Sequence, residues 1–135
     1  MNPVPAFRLQ SPPVVPTAPQ LDTVGLVRRC GGEADLAHMI LLEFMRSYGE
    51  LAGRLDAALD TADARQVEEA LHAIAGVAAN VGAPWISGEG ILLRRRVERE
   101  GLGAVTGELA AWRTAWMSLP ATAQRAADQL AQDGF

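Results

Sequence analysis

His72 is a candidate nucleophile, set in a segment that reads EEALHAIAGVAANVGA over residues 68–83. The neutral imidazole ring is nucleophilic, and an unperturbed histidine has a pKa of about 6.5, so the neutral form predominates at cytoplasmic pH. Such a ring could take up a phosphoryl group with no metal ion, catalytic triad or buried base beside it. Whether it does so depends on how the segment presents the ring.

A helical wheel places His72 on the side away from the core. At about 100° per residue, the apolar residues form one stripe opposite the histidine; they are Val67, Ala70, Leu71, Ile74, Val77, Ala78 and Val81. The residues within about 60° of His72 on this wheel are Arg65, Glu68, Ala75, Gly76 and Ala79. The imidazole is therefore expected on a surface whose C-terminal part carries only small side chains.

Gly76 adds a second reason to assign a function to this surface. A glycine inside a helix costs about 1 kcal/mol relative to alanine, and the sequence uses alanine freely elsewhere. One turn after His72, a missing side chain would let a partner bring its own reactive group close to the imidazole. The two residues fit transfer of a phosphoryl group between proteins, and on the wheel alone an ordinary surface histidine stays open as the alternative.

Apolar residues at three- and four-residue spacing predict helices from Leu21 onward, with glycine and proline at their boundaries. A short first helix is expected before Gly31 and Gly32, and a second over about 33–59. The third carries His72 and ends near Gly82, and the fourth covers about 85–100. The fifth begins at about 104, and Pro120 is expected to kink or interrupt it before 121–132. The expected fold is all-α: an antiparallel up-and-down bundle of four core helices and a short N-terminal helix.

The composition limits the domain organisation and the class of partner. With 135 residues, 49% of them hydrophobic, the chain can bury one core. Residues 1–20 hold six prolines and are expected to form a flexible, partly polyproline-like leader or linker. The net charge of -4 argues against nucleic acid as a partner.

The sequence indicates a cytoplasmic protein without direct membrane insertion. No stretch approaches the roughly 18 consecutive apolar residues of a membrane-spanning helix, and the N-terminus has no basic-then-apolar signal pattern. The single Cys30 cannot close an internal disulfide and has no His or Cys at metal-ligand spacing. No metal site and no cofactor are expected.

The segment around His72 resembles the signature of the histidine-containing phosphotransfer (Hpt) family. In that signature the phosphorylated histidine is followed by an aliphatic residue at +2, Lys at +3, Gly at +4 and a Gly-Ala pair at +10 and +11. The matching residues are His72, Ile74, Gly76, Gly82 and Ala83, whereas Ala75 stands in place of the lysine. The preceding LLEFMRSYGELAGRLDAALDTADARQVEEALH resembles the family's long helix and Asp-containing turn, and the resemblance spans about 21–132.

The resemblance implies a phosphocarrier rather than a stand-alone enzyme, acting alone or as part of a hybrid histidine kinase. His72 would receive the group from the aspartyl phosphate of one receiver domain and pass it to the aspartate of another, with Mg²⁺ on the receivers. The surface that binds receivers would comprise His72, Ala75, Gly76, Ala79, Arg65 and Arg94. Family members are often monomers, and a monomer is expected here.

Ala75 stands in place of the lysine that is taken to steady the phosphoryl group in the family, so an arginine would have to take over this role. The family has a polar residue at about +22 that faces the imidazole from the next helix, which makes Arg94 a candidate, with its neighbour Arg95. Arg65, two turns before His72, is another. For any one of the arginines in 94–96, a solvated helix face near a C-terminus is the competing interpretation.

Two other interpretations stay open. A bundle with the Hpt fold could bind or inhibit a receiver or another signalling protein without carrying phosphate. The missing lysine would then reflect the loss of phosphoryl transfer. A purely structural helical domain is the third, and Gly76 argues against it. His38, at the edge of the second helix's apolar stripe, and the tryptophans Trp112 and Trp116, at core spacing, are expected to serve packing.

Overall fold

The computed structural model describes residues 21–134, and this part of the chain folds as a helical bundle. Its elements are α1 (Thr23–Arg29), α2 (Ala34–Asp60), α3 (Ala64–Val81), α4 (Pro84–Glu100), a 3-10 helix (Leu102–Val105) and α5 (Thr106–Asp133). Helix α2 packs against α3 and α5, and α4 packs against the same two helices. The expected all-α bundle is confirmed, and the leader predicted for 1–20 lies outside the described residues.

The core lies where the four long helices face one another. On α3 the apolar stripe points inward, and Val67, Leu71 and Ile74 are fully buried. Aromatic rings fill the space between α2 and α5. The Trp112 and Trp116 rings are stacked with centroids 6.3 Å apart, so both tryptophans are core residues, as their four-residue spacing predicts.

Local hydrogen bonds fix both ends of α3, the helix that carries His72. At its start, the Asp63 carboxylate accepts from the backbone N–H of Gln66 over 3.1 Å. At its end, Gly82 adopts the left-handed conformation with φ of 89°. The backbone N–H of Ala83 then donates to the carbonyl of Ala78 over 2.8 Å, which closes the helix at the predicted stop.

Gly82→Ala is expected to destabilise the bundle by more than the left-handed backbone alone requires, which is about 1–2 kcal/mol. The added Cβ would lie 3.0 Å from the backbone carbonyl oxygen of Asp22, so the chain before α1 would have to shift. Gly31→Ala is the matched control, because Gly31 has φ of 69° and nothing within 4 Å of an added Cβ. Urea unfolding measures both variants, and an equal loss would contradict the role of the Asp22 contact.

Helix α5 is continuous from Thr106 to Asp133. Of the two expectations at Pro120, the interruption is wrong, and the kink stays a prediction. Proline has no backbone N–H, which leaves the carbonyl of Trp116 without its usual helical partner. The helix continues because its apolar stripe continues on the far side of the proline, where Ala123 and Ala127 are fully buried. Packing of this stripe outweighs the loss of one hydrogen bond.

Arg96 ties the end of α4 to the start of α5. Its guanidinium donates to Glu108 Oε2 over 2.8 Å and to the carbonyl of Ala104, in the 3-10 helix, over 3.3 Å. It also pairs with Glu100 one turn later. The hydrogen bond from Arg96 lowers the pKa of the Glu108 carboxyl. These contacts occupy the guanidinium of Arg96 and link α4 to α5.

Candidate functional site

His72 projects into solvent from the middle of α3, on the side opposite to the buried stripe. Within residues 21–134 its imidazole has no hydrogen-bond partner. The ring therefore lies where the helical wheel places it, and a reactant can approach it from solvent.

A shallow depression of about 420 Å³ surrounds His72, and three helices contribute to it. We call it the His72 depression; it is lined by Arg54 from α2, by Arg65, Glu68, Glu69, His72 and Ala73 from α3, and by Arg94 from α4. Two of the predicted site residues, Arg65 and Arg94, are thus brought together with the histidine. Because guanidinium groups bind phosphoryl oxygens through two parallel N–H donors, the depression suits an anion placed on the ring.

Arg54 is absent from the set of site residues predicted from the sequence. The signal for it exists, because the turn at 61–63 reverses the chain between α2 and α3. In antiparallel helices joined by a short turn, residues at equal distances from the turn lie level with each other. Arg54 is therefore level with the part of α3 that contains His72, and the register of the two helices predicts this once the turn is recognised.

The three consecutive arginines of α4 have three different environments. Arg94 is half-buried and lines the His72 depression. Arg95 is exposed and does not line it. Arg96 is held by Glu100 and Glu108. Of the two arginines proposed to compensate for the missing lysine on this helix, Arg94 lines the His72 depression and Arg95 does not.

Ala75 is buried, with 4% of its surface exposed, so the expectation that it belongs to the exposed surface around His72 is wrong. Its methyl group lies beneath α4, where a Cβ added to Gly90 would come within 3.5 Å of it. The Ser87 hydroxyl donates to the Ala75 carbonyl over 2.9 Å at the same crossing. Helix α4 therefore covers the flank of α3 on which the wheel places Ala75.

Gly76 and Ala79 are exposed on the histidine side of α3, but neither lines the His72 depression. A Cβ added to Gly76 would have no contact within 4 Å, so packing does not require glycine there. The same holds for other glycines inside helices, such as Gly49 and Gly88, so an unobstructed glycine is not by itself a sign of docking. Gly76 differs from these in lying one turn from His72.

A mostly apolar groove follows the seam between α2 and α3, toward the C-terminal end of α3. We call it the α2–α3 groove; it is lined by Leu36, Met39, Ile40, Glu43, Phe44, Ser47, Val77, Asn80 and Val81. The side chains of Leu36 and Met39 are 41% and 62% exposed. Exposed apolar surface is typical of a protein-binding face, and the sequence alone did not identify it.

The remaining candidates contribute no further site. Within residues 21–134, no group of three or more His, Cys, Asp or Glu side chains is arranged to hold a metal ion. Cys30 and His38 are half-buried and do not line the His72 depression. None of the helices in this range combines the length and the hydropathy that crossing a bilayer requires.

The chain matches the model of a known protein family. The family model described as Hpt domain matches residues 39–133, which is more than half of the chain and includes His72. Neither the curated proteins nor the solved structures yield a significant match. Domains of this family are helical phosphocarrier modules rather than enzymes, and they work with receiver domains in two-component signalling. The matched range, the helical bundle and the exposed histidine agree, and the chain belongs to the Hpt domain family.

Proposed function

We propose that the chain relays a phosphoryl group between the aspartates of two receiver domains through a phosphohistidine at His72. The observation that carries the proposal is the exposed imidazole in a depression lined by three arginines. Family membership adds the signalling context in which an aspartyl phosphate is available as the donor.

The attack on the donor needs no base from this chain. The unprotonated ring nitrogen of His72 attacks the phosphorus of the aspartyl phosphate, while the other ring nitrogen keeps its proton. The nitrogen–phosphorus bond forms as the phosphorus–oxygen bond to the aspartate breaks, and the aspartate leaves as a carboxylate. In the second step the acceptor's aspartate attacks the same phosphorus, and the ring nitrogen is the leaving group.

The receivers would supply the Mg²⁺ for the transfer. Phosphoryl transfer is promoted mainly by positioning and by cations that neutralise charge on the transferring group, Mg²⁺ among them. A receiver that binds Mg²⁺ beside its aspartate would bring the ion to the ring when the two proteins dock. The role of this chain is then to present the nucleophile on a rigid helix and to allow close approach.

The receiver-binding surface would extend from the His72 depression along the α2–α3 groove. Arg65 and Arg94 would border the histidine, and Gly76 and Ala79 would leave room for the partner's backbone. Leu36 and Met39 would add apolar contact from α2. Ala75 is left out of this surface because α4 covers it.

Gly76→Gln is expected to weaken receiver binding at least tenfold without destabilising the fold. A Cβ added at position 76 meets no atom of the described chain within 4 Å, and replacing an interior helical glycine adds up to about 1 kcal/mol of stability. The glutamine side chain would, however, project into the space that the partner must enter. Gly49→Gln is the matched control, since Gly49 is equally open but lies two turns before Asp56, on the flank of α2 that contacts α5 through Arg113. Titration with a receiver domain measures both, and equal affinities would contradict the docking surface.

The binding-module alternative keeps one observation in its favour. Ala75 stands where the family signature has lysine, and the residue is buried, so this position presents no cation to a phosphoryl group. A domain of this kind could dock a receiver and block it without accepting phosphate.

Transfer from a set of receiver domains carrying labelled aspartyl phosphate separates the two functions. The relay predicts that label moves to the native chain from at least one receiver and does not move to His72→Ala. Binding of a receiver with equal affinity to the native chain and to His72→Ala, with no movement of label to either, would establish the binding module instead.

A further inference from the structure

Some arginines of the bundle form ion pairs with carboxylates, and others do not. Within residues 21–134, ion pairs are formed by Arg46, Arg65, Arg96 and Arg113. Arg54 and Arg94 form none there, although both line the His72 depression. A guanidinium that no carboxylate holds keeps its N–H donors available for another anion.

These two arginines reach the depression from different helices. Helix α3, which carries His72, packs against α2 on one flank and against α4 on the other. Arg54 comes from α2 and Arg94 from α4, so a group attached to the imidazole would lie between two guanidiniums on separate helices. Arg65, by contrast, lies on α3 itself and pairs with Glu69 over 3.4 Å. Like Arg65, Arg54 is exposed, whereas Arg94 is half-buried.

We propose that Arg54 binds the phosphoryl group on His72 from the side opposite to Arg94 and prolongs the lifetime of the phosphohistidine. This inference rests on the proposed function, because it requires His72 to be phosphorylated. It adds Arg54, on a helix that the sequence did not implicate, as a binding residue of the phosphorylated state.

The charges around the histidine favour a phosphoryl group. The depression contains three arginines and two glutamates, so it carries a net positive charge when the imidazole is neutral. Arg65 is paired with Glu69, which leaves Glu68 as the carboxylate in the depression without an arginine at ion-pair distance. Glu68 opposes an anion on the ring, and Arg54 and Arg94 together outweigh it.

Binding by two guanidiniums should slow hydrolysis of the nitrogen–phosphorus bond. In the loose transition state of phosphoryl transfer, the phosphorus has largely parted from the ring nitrogen and the group resembles metaphosphate. Arg54 and Arg94 flank the ring from α2 and α4, so their donors meet the oxygens of the group while it is attached to the ring nitrogen. A group that has parted from the ring has moved away from these donors, which therefore stabilise the phosphohistidine more than the transition state for its attack by water.

The test measures the decay of phosphohistidine at neutral pH in variants of the full chain, after loading with phosphoramidate and removal of the donor. Arg54→Gln and Arg94→Gln are each expected to shorten the half-life by roughly 3- to 10-fold, as for the loss of a partly exposed charged hydrogen bond. The double variant should shorten it further, and Arg54→Lys should restore part of the loss. Arg95→Gln is the matched control on α4, because Arg95 is exposed outside the depression, and its half-life should equal that of the native chain.

The outcomes are distinguishable from those of the proposed function. If the native chain is phosphorylated and the half-life of Arg54→Gln is unchanged, the role of Arg54 is refuted while the relay stands. A native chain that takes up no phosphoryl group refutes both. Urea midpoints are expected to be equal for all of the arginine variants, so a shorter half-life accompanied by a lower midpoint would point to a structural role instead.

Discussion

His72→Gln is expected to reduce phosphoryl uptake to background while leaving the bundle folded. The amide of glutamine is not a nucleophile, so the side chain at position 72 of the variant cannot form the bond to phosphorus. The side chain of His72 is exposed and has no hydrogen-bond partner in residues 21–134. Substitutions at such positions change the free energy of unfolding by no more than about 0.5 kcal/mol. Uptake from a labelled receiver and urea unfolding, measured on the same preparation, check the two halves of this prediction.

His38→Gln is the control for that experiment, since His38 is the second of the chain's two histidines. It lies half-buried on α2 and does not line the His72 depression, so its substitution should leave uptake at the native level. Native-level uptake by His72→Gln, or loss of uptake in both variants, would show that the phosphoryl group is carried elsewhere or that uptake depends only on the general stability of the chain.

Trp112→Ala is expected to produce the largest loss of stability, about 3–5 kcal/mol for removal of a fully buried large aromatic side chain. The indole is 1% exposed, and its Nε1–H donates to the carbonyl of Ile86 on α4 over 2.9 Å. Its ring also packs where a Cβ on Gly90 would come within 3.4 Å. The substitution therefore opens a cavity, leaves a carbonyl without its donor, and loosens the helix that positions Arg94.

Trp85→Ala is the matched control, because Trp85 is half-buried near the start of α4. Its loss should cost less than half as much, since part of the side chain already faces water. Trp112→Phe should fall between the two, because it keeps most of the buried area and removes the hydrogen bond to Ile86. Thermal and urea unfolding rank the three variants, and a smaller loss for Trp112→Ala than for Trp85→Ala would contradict the packing described for α4 and α5.

The features that depend on one helix at a time are predictable from the sequence. The spacing of Val67, Leu71 and Ile74 fixes which side of α3 is buried, and this in turn fixes the exposure of His72. Gly82 marks the end of the helix because its left-handed conformation is easily adopted only by glycine. These inferences need no knowledge of how the helices are arranged in space.

The features that depend on two helices are those that the sequence did not settle. Ala75 lies close to His72 on the wheel, yet α4 packs over it at the crossing where Ser87 bonds to its carbonyl. Arg54 joins the His72 depression only through the register between α2 and α3. Pro120 ends no helix, because tertiary packing of Ala123 and Ala127 outweighs the local preference. In each case the outcome depends on packing against another helix.

The most direct test of the relay is to incubate the native chain with phosphoramidate and locate the product by mass spectrometry of its peptides. The account predicts one added phosphoryl group, labile in acid, on the peptide that contains His72. No uptake, under conditions in which another Hpt domain is phosphorylated, would contradict it and would leave the chain as a binding module with the Hpt fold.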